Sequence, residues 1–291
     1  MRQDIQAALA MSLKRRSDEL LAHPNLPLFR RTYIQNILEL YENNTFLTRL
    51  LIEAGRSVIF FQLLCLDAAH DPEDRTTWPT KALLKESVRA YGVSSARRLD
   101  DIVGRLVASG YMESRKTATD RRVRILVPTD RMVSHDLDWL VAQYSPLRCL
   151  DPAPNLDRVM SRDEEYRRVH RRLAHDWFWY SVQLMSHNPH AMFFMVREAG
   201  TLVLMKLVEA SAADSNGLAR NVSLTDFAQR FGISRTHVRA ILKDAEGEGL
   251  LRRGRDGVEL SKALKDAFDL FVVEVMVGLE GMHRQTMEAL A

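Results

Sequence analysis

Residues 222–261 read VSLTDFAQRFGISRTHVRAILKDAEGEGLLRRGRDGVELS. Leu224, Phe227, Ala228 and Phe231 recur at helical spacing, which predicts a short amphipathic helix with Thr225 as its cap. Gly232 can take the positive φ that turns the chain, and Ser234 then caps a second helix. That helix buries Val238, Ile241, Leu242 and Ala245. Gly249 ends it, and LLRRGRDGVEL reads as two short strands joined by a tight turn at Gly254 and Gly257.

The same order occurs earlier in the chain. KALLKESVRAYG (81–92) predicts a helix, and VSSARRLDDIVGRLVASG (93–110) predicts a second one. The second is capped at Ser94 and turns Leu99, Ile102, Val103 and Leu106 inward. GYMESRKTATDRRVRILVPTD (110–130) is strand, turn, strand. Helix, glycine turn, capped helix and hairpin in this order describe a winged helix-turn-helix. The stretch LVASGYMESRKTATDRRVRILVPTD (106–130) resembles the wing of MarR-family transcriptional regulators. It has an Asp-x-Arg, here Asp120 and Arg122, and a strand ending in a Thr turn, here Thr129. The second hairpin does not reproduce that spacing at Arg255 and Asp256.

Upstream of each unit the phrase Glu-Ala-Gly recurs between apolar residues. LLIEAGRSVIFFQLL occupies 50–64 and MVREAGTLVLMKLVE occupies 195–209, a shift of 145 positions. The shift falls to 140 where AYGVSS (90–95) meets RFGISR (230–235), and to 139 where Gly110 meets Gly249. The slips fall in polar loops, as they do when a duplicated fold diverges. The whole unit therefore reads as duplicated, and each Glu-Ala-Gly as part of a helix preceding its winged unit, its glycine permitting close packing.

The expected fold is mainly α with small β-wings: two winged helix-turn-helix units in tandem on a helical body, related by a pseudo-two-fold. Residues 1–25 form an N-terminal helix of that body, 26–143 the first repeat, 144–164 a proline-containing linker, 165–264 the second repeat and 265–291 a C-terminal helix. MarR-like proteins normally work as homodimers that share a helical body, so the resemblance implies a single chain acting as its own pseudo-dimer. A further homodimer remains open.

Composition narrows the function. The net charge of +3 is only mildly basic, so a surface for a polyanion has to be local. Hydrophobic residues at 46% supply a core, while no apolar run is long enough to span a bilayer and no secretory leader is apparent at the start. Cys65 and Cys149 show no metal or redox spacing. A cytoplasmic protein with buried thiols is the expectation.

A winged helix lays its second helix in the major groove and its wing on phosphate or minor groove. In the first unit the DNA candidates are Ser94, Ser95, Arg97 and Arg98 on the helix, with Arg115, Lys116, Arg121, Arg122 and Arg124 on the wing. In the second they are Ser234, Arg235, Thr236, His237, Arg239 and Lys243, with Arg252, Arg253 and Arg255 on the wing. Arginine can donate twice to guanine or pair with phosphate, and serine can contact either. Asp244, Glu246 and Glu248 at the tail of the second helix should face away from phosphate.

HDWFWYSVQLMSHNPHAMFF (175–194) is the most aromatic stretch. It reads first as packed helix and second as a pocket for a small aromatic effector, with Trp177, Trp179 and Tyr180 as its residues. His175, Asp176, His187 and His190 lack the i, i+4 pairing of a helical metal site, so no metal and no cofactor is expected. No P-loop, GxGxxG after a strand, GxSxG or HExxH is present, and an enzyme is not expected. The reading is a sequence-specific double-stranded DNA-binding regulator. Its rivals are a winged-helix protein–protein scaffold and a tandem winged-helix replication initiator.

Overall fold

The computed structural model describes residues 2–42, 54–89, 96–117, 120–174, 187–220 and 222–291, with the side chains of 2–10, 54, 55, 96 and 224 left aside. The chain is mainly helical, with two small antiparallel sheets. In order come α1 (Arg2–Leu21), α2 (Leu26–Tyr41), α3 (Ala54–Ala68), α4 (Lys81–Arg89) and α5 (Ala96–Ala108). The hairpin β1 (Met112–Lys116) and β2 (Arg124–Pro128) follows, then α6 (Asp130–Tyr144). After a helix over 164–174, here α7, come α8 (Pro189–Met195), α9 (Gly200–Ala213) and the short β3 (Leu218–Ala219). The chain ends with α10 (Leu224–Phe231), α11 (Arg235–Gly247), β4 (Leu251–Arg253), β5 (Val258–Leu260) and the long α12 (Lys262–Leu290).

The core is helix on helix. One face of α2 buries Phe29, Tyr33, Ile34, Ile37, Leu38 and Tyr41, and it lies against α6, α9 and α12. In α12, Leu264, Phe268, Val272, Met276 and Leu279 recur every three or four residues, so one stripe of a 29-residue helix faces inward throughout. Ser261 starts that helix, its Oγ accepting from the Leu264 N–H at 3.2 Å. Helix α1 packs along α12, and Arg16 donates to both Glu280 carboxylate oxygens at 2.9 and 2.8 Å.

The segment 144–164, expected as a linker, belongs to this core. Proline does break the regular helix after Tyr144, but Ser145–Cys149 continue as a 3₁₀ turn packed on α2. Tyr144, Pro146, Leu147, Leu150 and Leu156 are all buried. The side-chain amide of Asn25 donates to the Cys149 carbonyl at 2.8 Å, fastening the segment to the start of α2.

The two helix–helix–hairpin segments share backbone hydrogen bonds, position by position. Tyr111 N–H donates to the Leu106 carbonyl at 2.9 Å, and Leu250 N–H to the Ala245 carbonyl at 2.9 Å. Gly110 and Gly249 carry φ of +74° and +69° at the same place. Thr129 N–H closes the first hairpin on the Tyr111 carbonyl at 3.0 Å, as Ser261 N–H closes the second on Leu250 at 2.9 Å.

Three features depart from expectation. MVREAGTLVLMKLVE is not one helix, because α8 stops at Met195 and α9 begins at Gly200, with Ala199 at φ +57° between them. The corner requires glycine at its far side, because a Cβ on Gly200 would collide with the Phe194 carbonyl oxygen. At the earlier Glu-Ala-Gly, α3 begins at Ala54, and Glu53 lies outside the described residues.

Second, the cap of α10 is Ser223, whose Oγ accepts from the Asp226 N–H at 3.1 Å, and not Thr225. The helix starts one residue before Thr225, which places that hydroxyl inside the first turn.

Third, β3 makes the second sheet three-stranded, in the order β3-β5-β4. Pro79 stands before the first helix–helix–hairpin segment where Ala219 stands before the second. Proline has no N–H to donate, so only the bond from Leu126 N–H to the Pro79 carbonyl remains, at 2.8 Å. That sheet has two strands.

Candidate nucleic-acid interface

In the first unit Leu99, Ile102, Val103 and Leu106 hold α5 against the core. Lys85 on α4 donates to Asp100 at 2.8 Å, fixing the two helices against each other. The opposite face of α5 exposes Arg97, Asp101 and Arg105. Arg105 continues the row at i+8 from Arg97 and was missed in the sequence, although the spacing would have given it. Arg98 is half-buried, and Ser94 and Ser95 lie outside the described residues.

The first hairpin pairs Met112 with Pro128 through to Lys116 with Arg124. Its turn is built by polar side chains: Thr117 Oγ1 donates to the Asp120 carbonyl at 2.7 Å, and Asp120 Oδ1 accepts from the Arg122 N–H at 3.1 Å. Asp120 thus shapes the loop that presents Arg121 and Arg122, both exposed. At the base, Thr129 Oγ1 donates to the Gly110 carbonyl at 2.8 Å. Lys116 is exposed, Arg115 is paired with Glu113 at 2.6 Å, and Arg124 bonds Ser114 Oγ at 2.9 Å without a carboxylate partner among the described residues.

In the second unit Ser234 caps α11, its Oγ accepting from the His237 N–H at 3.0 Å. Val238, Ile241, Leu242 and Ala245 are buried, and Arg235, Thr236, Arg239 and Lys243 are exposed. His237 does not belong with them. Its Nε2 donates to the Glu198 carbonyl at 2.8 Å, which turns the ring toward the α8–α9 corner and away from the outer face.

The second hairpin also differs from the expected basic wing. Arg252 donates twice to Glu259, at 3.1 and 2.6 Å. Arg253 gives its backbone N–H, Nε and Nη2 to the Glu246 carboxylate at 2.8, 2.8 and 2.6 Å. Those bonds, the side-chain ones first, hold the Glu246 carboxyl below the usual carboxylate range. Glu246 is thus spent on the hairpin of its own unit. Arg255 stays exposed at the turn, without a carboxylate partner among the described residues.

A cleft of about 670 Å³ opens between α2, α9 and α10. Ile34, Leu38, Ala210, Phe227 and Phe231 supply its apolar wall, and Arg230 bridges it to Glu42 at 2.8 Å. Trp177, Trp179 and Tyr180 lie outside the described residues, so the aromatic-effector expectation is not placed at this cleft.

Among the described residues no three His, Cys, Asp or Glu side chains gather as a metal ligand set, and no helix is long and apolar enough to cross a membrane. Comparison of the chain with protein-family profiles, curated proteins and solved structures finds no match.

Proposed function

We propose that the chain is a sequence-specific double-stranded DNA-binding transcriptional regulator. In this reading two winged helix-turn-helix units, imperfect copies of each other, act as a pseudo-dimer within one polypeptide. The observation that carries it is the recurrence of a helix with exposed cations directly before a hairpin, as Arg97 and Arg105 on α5 and as Arg235, Arg239 and Lys243 on α11. A helix of that kind presents arginine to guanine edges and phosphates in the major groove. Because the copies differ, the operator is an asymmetric site or an imperfect palindrome. Regulation acts by occupancy, blocking or recruiting other proteins, without catalysis and in the cytoplasm. The cleft between α2, α9 and α10 is the place where an effector would alter the setting of α10 and α11 against the body.

The test is selection from a random duplex pool with the full chain, followed by a reporter carrying the enriched site. An enriched motif, and a transcript level that changes with the protein, support the reading. A pool that enriches nothing, with no salt-dependent retention of duplex, ends it and favours the protein–protein scaffold.

A further inference from the structure

The two hairpins are unequal in length and charge, and this inequality bears on how a duplex is held, given the DNA-binding reading above on which the inference rests. β1 and β2 pair over five positions, β4 and β5 over three. At about 3.4 Å per residue, two further pairs carry the first hairpin's tip roughly 7 Å beyond the second's. That tip carries Lys116, Arg121 and Arg122.

The charges follow the same division. Residues 111–129 hold five arginines or lysines against two carboxylates, a net +3. Residues 250–261 hold three against two, and Glu246 on the adjoining helix cancels the remainder. The register shows where the neutralising groups entered. Glu259 stands opposite Arg252, while the matching position in the first hairpin is Val127, opposite Glu113. Glu246 is matched by Val107, an exposed apolar residue. The first copy has neither locking carboxylate.

We propose that the units grip duplex DNA unequally: the first hairpin is the phosphate-binding arm, and the second, short and closed on its own carboxylates, contributes no phosphate contact through Arg252 or Arg253. Within the second wing Arg255, at the turn, is the arginine left without a carboxylate partner among the described residues, so the second unit meets DNA through α11 and that one cation.

The experiment is a salt series on the full chain with a fluorescent mixed-sequence duplex several turns long. Two variants are compared with the wild type, and their melting temperatures confirm folding. One is Arg121→Gln/Arg122→Gln. The other, Arg252→Gln/Arg253→Gln/Glu246→Gln/Glu259→Gln, removes both ion pairs of the second hairpin without changing net charge. Removing one neutralised phosphate flattens the log–log salt slope by about 0.9. The first variant is expected to flatten it by about 1.8, and the second to leave it unchanged. A second variant that flattens the slope as much as the first overturns the proposal, as does a first variant with the wild-type slope. A wild type that does not bind duplex removes the DNA-binding reading itself, a result distinct from either.

Discussion

At the residue scale the buried histidines set the behaviour of the fold toward acid. His135 is held between the Tyr41 and Phe60 rings, and burial pushes its imidazole down to about 4 despite Asp136 and Asp138 nearby. His170 is also held well below the ordinary histidine range, by burial first and then by the Arg171 charge. Hydrogen bonding fixes the direction of its network. His283 Nε2 donates to the Asn155 carbonyl, so His283 Nδ1 accepts from Tyr166 Oη at 2.8 Å. Tyr144 Oη lies 2.9 Å from His170 Nε2, while His170 Nδ1 has no hydrogen-bond partner among the described residues. An unfolded histidine takes its proton near pH 6.5, whereas the folded chain refuses it. Stability from these groups is therefore complete above about pH 6.5 and falls as pH drops, the His135 share levelling off below about 4. Melting temperatures measured between pH 7 and 4 should fall. His135→Phe, which keeps the ring and removes the proton site, should shallow that fall by up to about 3 kcal/mol.

At the scale of elements, amphipathic helices were legible because burial imposes a period that survives in one sequence. Leu99, Ile102, Val103 and Leu106, and Val238, Ile241, Leu242 and Ala245, all face inward as read. The caps were legible only to within a residue or two, since serine and threonine compete for the role; Ser234 was right and Thr225 was displaced by Ser223. Two residues of β3 carry no periodicity, and their pairing depends on a strand that comes 39 positions later in the register of Ala219 with Val258. The candidate interface was legible as a set of exposed cations and not as a set of available ones. Partners of Arg252, Arg253 and His237 are fixed by hairpin register and by the fold bringing Glu198 near α11, which single-residue types do not reveal. The cap of α11 gives a direct check. Ser234→Ala should cost about 1 kcal/mol, seen as a lower midpoint in urea with an unchanged slope.

At the scale of the whole molecule, a buried pair ties Asp136 on α6 to Arg171 on α7. Both are almost fully buried, and the guanidinium also lies over the Phe61 and Trp139 rings at 4.7 and 4.9 Å. Arg167 is buried beside the same carboxylate, 3.5 Å from it. Removing the carboxylate leaves two buried cations without their anion. Asp136→Ala should therefore destabilise the chain by about 3–5 kcal/mol, measured by chemical denaturation. Arg30 with Asp269 and Arg230 with Glu42 add links between residues far apart in sequence, so distant segments of the chain are joined through side chains as well as through the core.

The seating of α1 on α12 has a consequence for how the chain is made. Arg16 and Glu280 are separated by 264 residues, and Leu20 is fully buried in the finished fold. On a ribosome adding about 5–20 residues per second, α1 emerges roughly 13–53 s before its partner is synthesised. For that interval α1 lacks the helix along which it packs, and a chaperone can hold it there. Native closure waits for α12 to be translated.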